Sequence, residues 1–144
     1  MSERQRATGS DPLQKALAAE HAAVYVYAAL GGRLSASDDA TLYETIESAY
    51  AAHVAARDTL IDHVVAAGAD PVGSAAAYDL PAGIGSPTGI RSAALRLERH
   101  CAATYLSLVA AVTGTERRML VTLLGDAAVR ELDFGGSPQT FPGS

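Results

Sequence analysis

Four ionisable side chains come from four separate stretches of the chain, each on or beside what reads as the apolar stripe of a helix. Glu20 lies between Leu17 and Val24, and His53 between Ala49 and Ala56. Glu98 precedes Cys101 by one turn, and Asp126 stands beside Leu123 and Ala127. Arg57 follows His53 by four residues and Arg130 follows Asp126 by four, so each guanidinium is one helical turn from its neighbour. Tyr50 and Tyr105 carry hydroxyls that seek polar partners when buried. Carboxylates and an imidazole gathered in one interior can bind a cation or neutralise themselves against arginines. Glu20, Glu98 and Asp126 carry three negative charges; Arg57, Arg130 and a protonated His53 carry three positive ones. On that count the set cancels with no cation.

These residues need helices to hold them, and the breakers mark four. Ser10-Asp11-Pro12 reads as a cap with proline in the first turn, opening a helix through Leu13, Leu17, Val24 and Tyr27 to Gly31-Gly32. Residues 1–10 are expected to be a flexible N-terminus. Ser37 or Asp38 caps a second helix, with Leu42, Ile46, Ala49, His53, Ala56 and Leu60 on its stripe, ending before Gly68. Ser86-Pro87 opens a third through Ile90, Ala94, Leu97, Cys101, Leu108 and Val112, which Gly114 ends. Thr115 is placed to cap a fourth, Glu116 to Phe134, closed by Gly135-Gly136. Short links make helices one and two, and three and four, antiparallel hairpins. The 68–86 segment joins the hairpins and carries Pro71, Gly73, Pro81, Gly83 and Gly85. Such a link suits a bundle whose second and third helices run parallel, so that the chain must travel the full length between them. Extended, it spans roughly 60 Å, against roughly 45 Å for the longest helix. Ala75 to Tyr78 could form one helical turn within it. The bundle therefore spans 11–134, with an irregular tail at 135–144 that either folds back or docks on a partner.

The hairpins echo each other. A tyrosine follows Glu20 by seven residues at Tyr27 and follows Glu98 by seven at Tyr105; His53-x-x-x-Arg57 aligns with Asp126-x-x-x-Arg130. His21, at a helix edge, reads as a packing or capping side chain, His63 and His100 as solvated, and Cys101 as a small core hydrophobe.

Composition sets the remaining bounds. The 144 residues include 30 Ala, 10 Arg, one Lys and no Trp, with 49% hydrophobic and 19% charged side chains, as in a helical domain with a real core. A net charge of −5 argues against nucleic acid and anionic membranes as partners. No apolar run approaches a membrane span, and the N-terminus lacks a secretory h-region. The single Cys101 fits a reducing compartment, so the expected location is cytoplasmic. The chain has no G-x-x-x-x-G-K-[ST], G-x-S-x-G, C-x-x-C or G-x-G-x-x-G motif.

The stretches Glu20-His21-Ala-Ala-Val-Tyr25, Ala51-Ala-His53, Arg57-Asp58, Leu97-Glu98, Asp126-Ala-Ala-Val-Arg130 and the Phe141-Pro-Gly tail resemble a small ferritin-like group of unknown function from high-GC bacteria. The resemblance implies an all-α, up-down-down-up four-helix bundle. In metal-binding ferritin-like proteins, two helices each give a Glu and the other two each give a Glu-x-x-His pair. Glu20 and Glu98 match the single Glu ligands. The second helix instead reads Tyr50-x-x-His53 and the fourth Asp126-x-x-Val129. Two readings follow for an uncharacterised protein. In the first, the ancestral di-metal site has become a cofactor-free polar network of Glu20, Tyr50, His53, Arg57, Glu98, Tyr105, Asp126 and Arg130, in a non-catalytic binding or scaffold protein. In the second, Glu20, His53, Glu98 and Asp126 hold iron or manganese in an oxidoreductase or storage protein. A small-ligand pocket lined by the same residues is a third possibility, and the Ala-rich surface suits a homodimer.

Overall fold

The computed structural model describes the backbone of residues 3–144 and the side chains of residues 11–144. It is all-α: helices α1 (Glu3–Gly32), α2 (Ala40–Ala66), α3 (Pro87–Val109) and α4 (Gly114–Asp133), with no strand among the described residues. None of these helices is long and apolar enough to cross a membrane. Helix α1 packs along α2 and α3 along α4, while α1 also faces α3. The set is consistent with a four-helix bundle.

Local chemistry explains most of the boundaries. Ser86 accepts a bond from the Gly89 amide at 3.1 Å and Pro87 sits at the first helical position, as the sequence predicts for α3. For α2 the cap is Asp39, one residue beyond the expected pair, and its carboxylate accepts from the Leu42 amide. Gly68 follows that helix with φ +83°.

Other expectations fail. Ser10-Asp11-Pro12 does not start α1, whose backbone is helical from Glu3 with Pro12 inside it. Proline removes one backbone bond, and the Pro12 ring is buried beside the stripe of Leu13, Ala16 and Leu17, which offsets that loss. The expected flexible N-terminus, residues 1–10, lies outside the residues whose side chains are described. Helix α3 stops at Val109, and the N-cap position of α4 is Thr113, not Thr115, with no side-chain capping bond. Arg117 reaches back to the carbonyls of Val109 and Val112 at 3.2 and 2.9 Å, satisfying acceptors that another helical turn would have used. Ala75–Tyr78 forms no helical turn; the Tyr78 hydroxyl instead accepts from the Ala75 amide at 2.9 Å.

The 67–86 link runs along α1 from Gln14 to its C-terminal end. There the Gln14 side-chain amide donates to the Asp70 carbonyl at 2.7 Å and accepts from the Val72 amide at 2.8 Å. Further on, the His21 ring bonds the Val72 carbonyl, and Tyr25 stacks obliquely on Tyr78 with centroids 5.4 Å apart. Ile84 then enters the core among Val26, Leu30 and Leu34. Gly89 allows the final close approach, because a Cβ there would lie 1.7 Å from the Gly83 carbonyl oxygen. The chain therefore reaches α3 at the end where α2 begins, and Arg91 meets Asp39 at 3.4 Å.

Two hydrophobic clusters fill the interior. One gathers Leu13, Leu17, Leu60, Val64, Tyr105 and Leu120; the other gathers Tyr27, Leu30, Leu42, Ile46, Ile90 and Phe134. The tail turns back on α3, where Gly143 lies so close to the Ala102 carbonyl that a Cβ would approach it to 2.6 Å.

Candidate functional site

Between the two apolar clusters lies a polar layer. Glu20 of α1, His53 of α2 and Glu98 of α3 are each fully buried, at 0% exposure. The period of each helix puts them there, since each lies on the same stripe as its buried apolar neighbours. His53 spans the gap: its Nδ1 is 2.6 Å from Glu20 Oε2 and its Nε2 is 2.8 Å from Glu98 Oε1. An ionised carboxylate only accepts hydrogen bonds, so a ring bonded to one at each nitrogen donates from both and is an imidazolium. Burial lowers the His53 pKa, but the hydrogen bonds to Glu20 and Glu98 outweigh it and raise the value from 6.5 to about 9.

Glu98 Oε1 is the hub. Besides His53 it accepts from the Tyr27 hydroxyl at 2.6 Å and from Arg130 Nε at 3.0 Å. Burial raises the Glu98 pKa, yet its bond to His53 and the charges of His53 and Arg130 bring it below the ordinary value. Burial and the neighbouring Glu98 charge push the Tyr27 phenol far up, so it stays a donor. The Tyr27 ring also lies 5.2 Å from the His53 ring, stacked at 24°. Two carboxylates, one imidazolium and one guanidinium sum to zero within this layer.

Four of the eight expected network residues meet here: Glu20, His53, Glu98 and Arg130. Tyr105 is buried in the core, but its hydroxyl has no partner among the described residues; neither have Glu20 Oε1 and Glu98 Oε2. Three residues stand outside and correct the expectation. Tyr50 is 40% exposed. Arg57 turns to the surface and pairs with Asp58 at 3.0 Å. Asp126 is exposed, because α4 buries Leu120, Ala127 and Glu131 and so places its inward stripe about 100° away from Asp126. The neutral balance therefore holds with two charges of each sign, not three. Tyr27 was the missed member; its position seven residues after Glu20 was the available signal. Glu131 of α4 is buried as well. It is 3% exposed beside the tail, and burial raises its pKa.

The other histidines and the cysteine stand apart from this layer's bonds. His21 holds the link to α1, His100 is exposed, His63 is half-buried and Cys101 is buried, its thiol pKa raised by burial and by the charges of Glu20 and Glu98.

A metal-bound histidine must turn an unprotonated nitrogen lone pair towards the cation. Both His53 nitrogens are committed to carboxylates, and Asp126 does not reach Glu20 or Glu98. Among the described residues no cluster of three or more His, Cys, Asp or Glu could hold a metal ion. The donor set does not fit a metal centre.

The crystal structure of a conserved hypothetical protein, Rv2844, from Mycobacterium tuberculosis is similar to this chain. The TM-score is 0.79 at 25% sequence identity, covering 89% of this chain and 95% of that one. No curated protein matches. Residues 12–144 match the family described as "Domain of unknown function (DUF4439)", and the chain belongs to that family.

Proposed function

We propose that this protein is a ferritin-like bundle that acts by binding, not by catalysis, with a salt-bridged layer where di-metal proteins of that architecture hold cations. The ferritin-like arrangement is supported by the path of the 67–86 link along α1 and by the meeting of Asp39 with Arg91, which puts the starts of α2 and α3 together. The observation that carries the functional reading is the imidazolium bridge: His53 uses both nitrogens to join Glu20 and Glu98. A buried layer of this kind needs balanced charge, and Arg130 completes the balance. The layer then specifies how the helices register and leaves the surfaces between them to bind.

Elemental analysis of protein purified without chelator tests this. Iron, manganese and zinc each well below one equivalent per chain support the reading; one equivalent of any of them contradicts it. A homodimer is proposed as the working form, supported by the exposed Val121, Val129 and Leu132 along one side of α4. Sedimentation at low concentration tests that form, and a monomer contradicts it. The proposed location is the cytoplasm, in keeping with the free, buried Cys101.

A further inference from the structure

Helices α2 and α4 leave a cleft of about 430 Å³ between them, near the lower end of the range for small-ligand sites, roughly 300–1,000 Å³. Its α2 wall is Ala52, Ala55 and Ala56, whose small side chains create the space, and its α4 wall includes Met119 and Leu123. Two charges from one helix, Asp126 and Arg130, line the same cleft. Residues of opposite charge one turn apart ordinarily pair. These two form no ion pair, because Arg130 is drawn inward and bonds Glu98 through Nε. Among the described residues Arg130 bonds through Nε alone, leaving its η nitrogens without a protein acceptor. The cleft thus offers a carboxylate, Asp126, with no partner among the described residues, the remaining N–H groups of the Glu98-bound Arg130, and an apolar wall.

A bare anion drawn to Arg130 meets the charge of Asp126, and a bare cation drawn to Asp126 meets that of Arg130. A group carrying adjacent opposite charges satisfies both. We infer that the α2–α4 cleft binds a free α-amino acid with an aliphatic or thioether side chain, its carboxylate on Arg130, its ammonium on Asp126 and its side chain against the alanine wall. Met119 is flexible enough to shape itself to such a side chain. The inference deepens the binding reading above, and depends on the polar layer only in that Glu98 holds Arg130.

The test is a titration of isotope-labelled protein with L-leucine, followed by NMR. The controls are 4-methylpentanoate, which is leucine without its ammonium, and 3-methylbutylamine, which is leucine without its carboxylate. Leucine is expected to shift Thr59, Thr122, Leu123 and Asp126, and to bind at least about tenfold more tightly than either control. Ala56→Leu fills the cleft and is expected to abolish binding; Asp126→Asn, at an exposed position, is expected to reduce leucine to the level of 4-methylpentanoate. Absence of shifts at those residues up to tens of millimolar, equal binding of leucine and 4-methylpentanoate, or unchanged binding to Ala56→Leu would each overturn the inference. Metal content of the same sample reports separately on the polar layer, so failure of one is not failure of the other.

Discussion

Arg57 and Arg130 hold equivalent places in the two hairpins, four residues past His53 and Asp126, yet Arg130 bonds buried Glu98 while Arg57 bonds exposed Asp58. The difference decides what each is worth. Arg57→Met removes a surface pair and should cost at most about 1 kcal/mol. Arg130→Met leaves Glu98 in the core with less compensation, and should cost about 3–5 kcal/mol. Urea unfolding of both variants measures this; equal losses would place the charge balance elsewhere.

The charge layer also sets a pH window. His53 is raised from 6.5 to about 9, so its stabilisation is complete below 6.5 and is lost as pH climbs through 9. The shift corresponds to about 3 kcal/mol. Glu98 is lowered from 4.5, so its contribution is present above that value and is lost as pH falls through its folded pKa. Stability should therefore peak between roughly pH 4.5 and 6.5 and decline on both sides. Denaturation midpoints from pH 2 to 10 check the profile.

Gly89 gives a prediction about the link and not the layer. Its missing side chain lets the Gly83 carbonyl pass, and a methyl would sit 1.7 Å from that oxygen. The obstacle is backbone, so relief requires moving the link or α3. Gly89→Ala should lower stability by about 1–3 kcal/mol although alanine favours helix. A neutral or stabilising result by thermal unfolding would show that the link is free to move.

The helices and the long link were legible because breakers and apolar periods are local signals, and Ser86-Pro87 shows this most plainly. Arg117 shows the limit: its bonds to Val109 and Val112 shortened α3, and nothing in the local pattern signals that reach. The same holds for the site. Glu20, His53 and Glu98 lie on or beside apolar stripes, near Leu17 and Val24, Ala49 and Ala56, and Ala94 and Cys101, so their burial could be read directly. Asp126 and Arg57 lie at stripe edges, where a modest rotation of the helix moves a side chain from core to solvent. That rotation is set by the packing of α2 against α1 and of α4 against α3, which spacing within one helix does not encode. Tyr27 lies on the apolar period of α1, and only the fold brings its hydroxyl to Glu98.

The protonation of the His53 ring is the most direct test of a self-neutralising core. Long-range proton–nitrogen correlation at pH 7 reads both ring nitrogens, with and without one equivalent of manganese or zinc. Nδ1 and Nε2 are both expected to be protonated, with a titration near pH 9 and no change on adding metal. One bare nitrogen at neutral pH, with a signal that moves or broadens when metal is added, would contradict it.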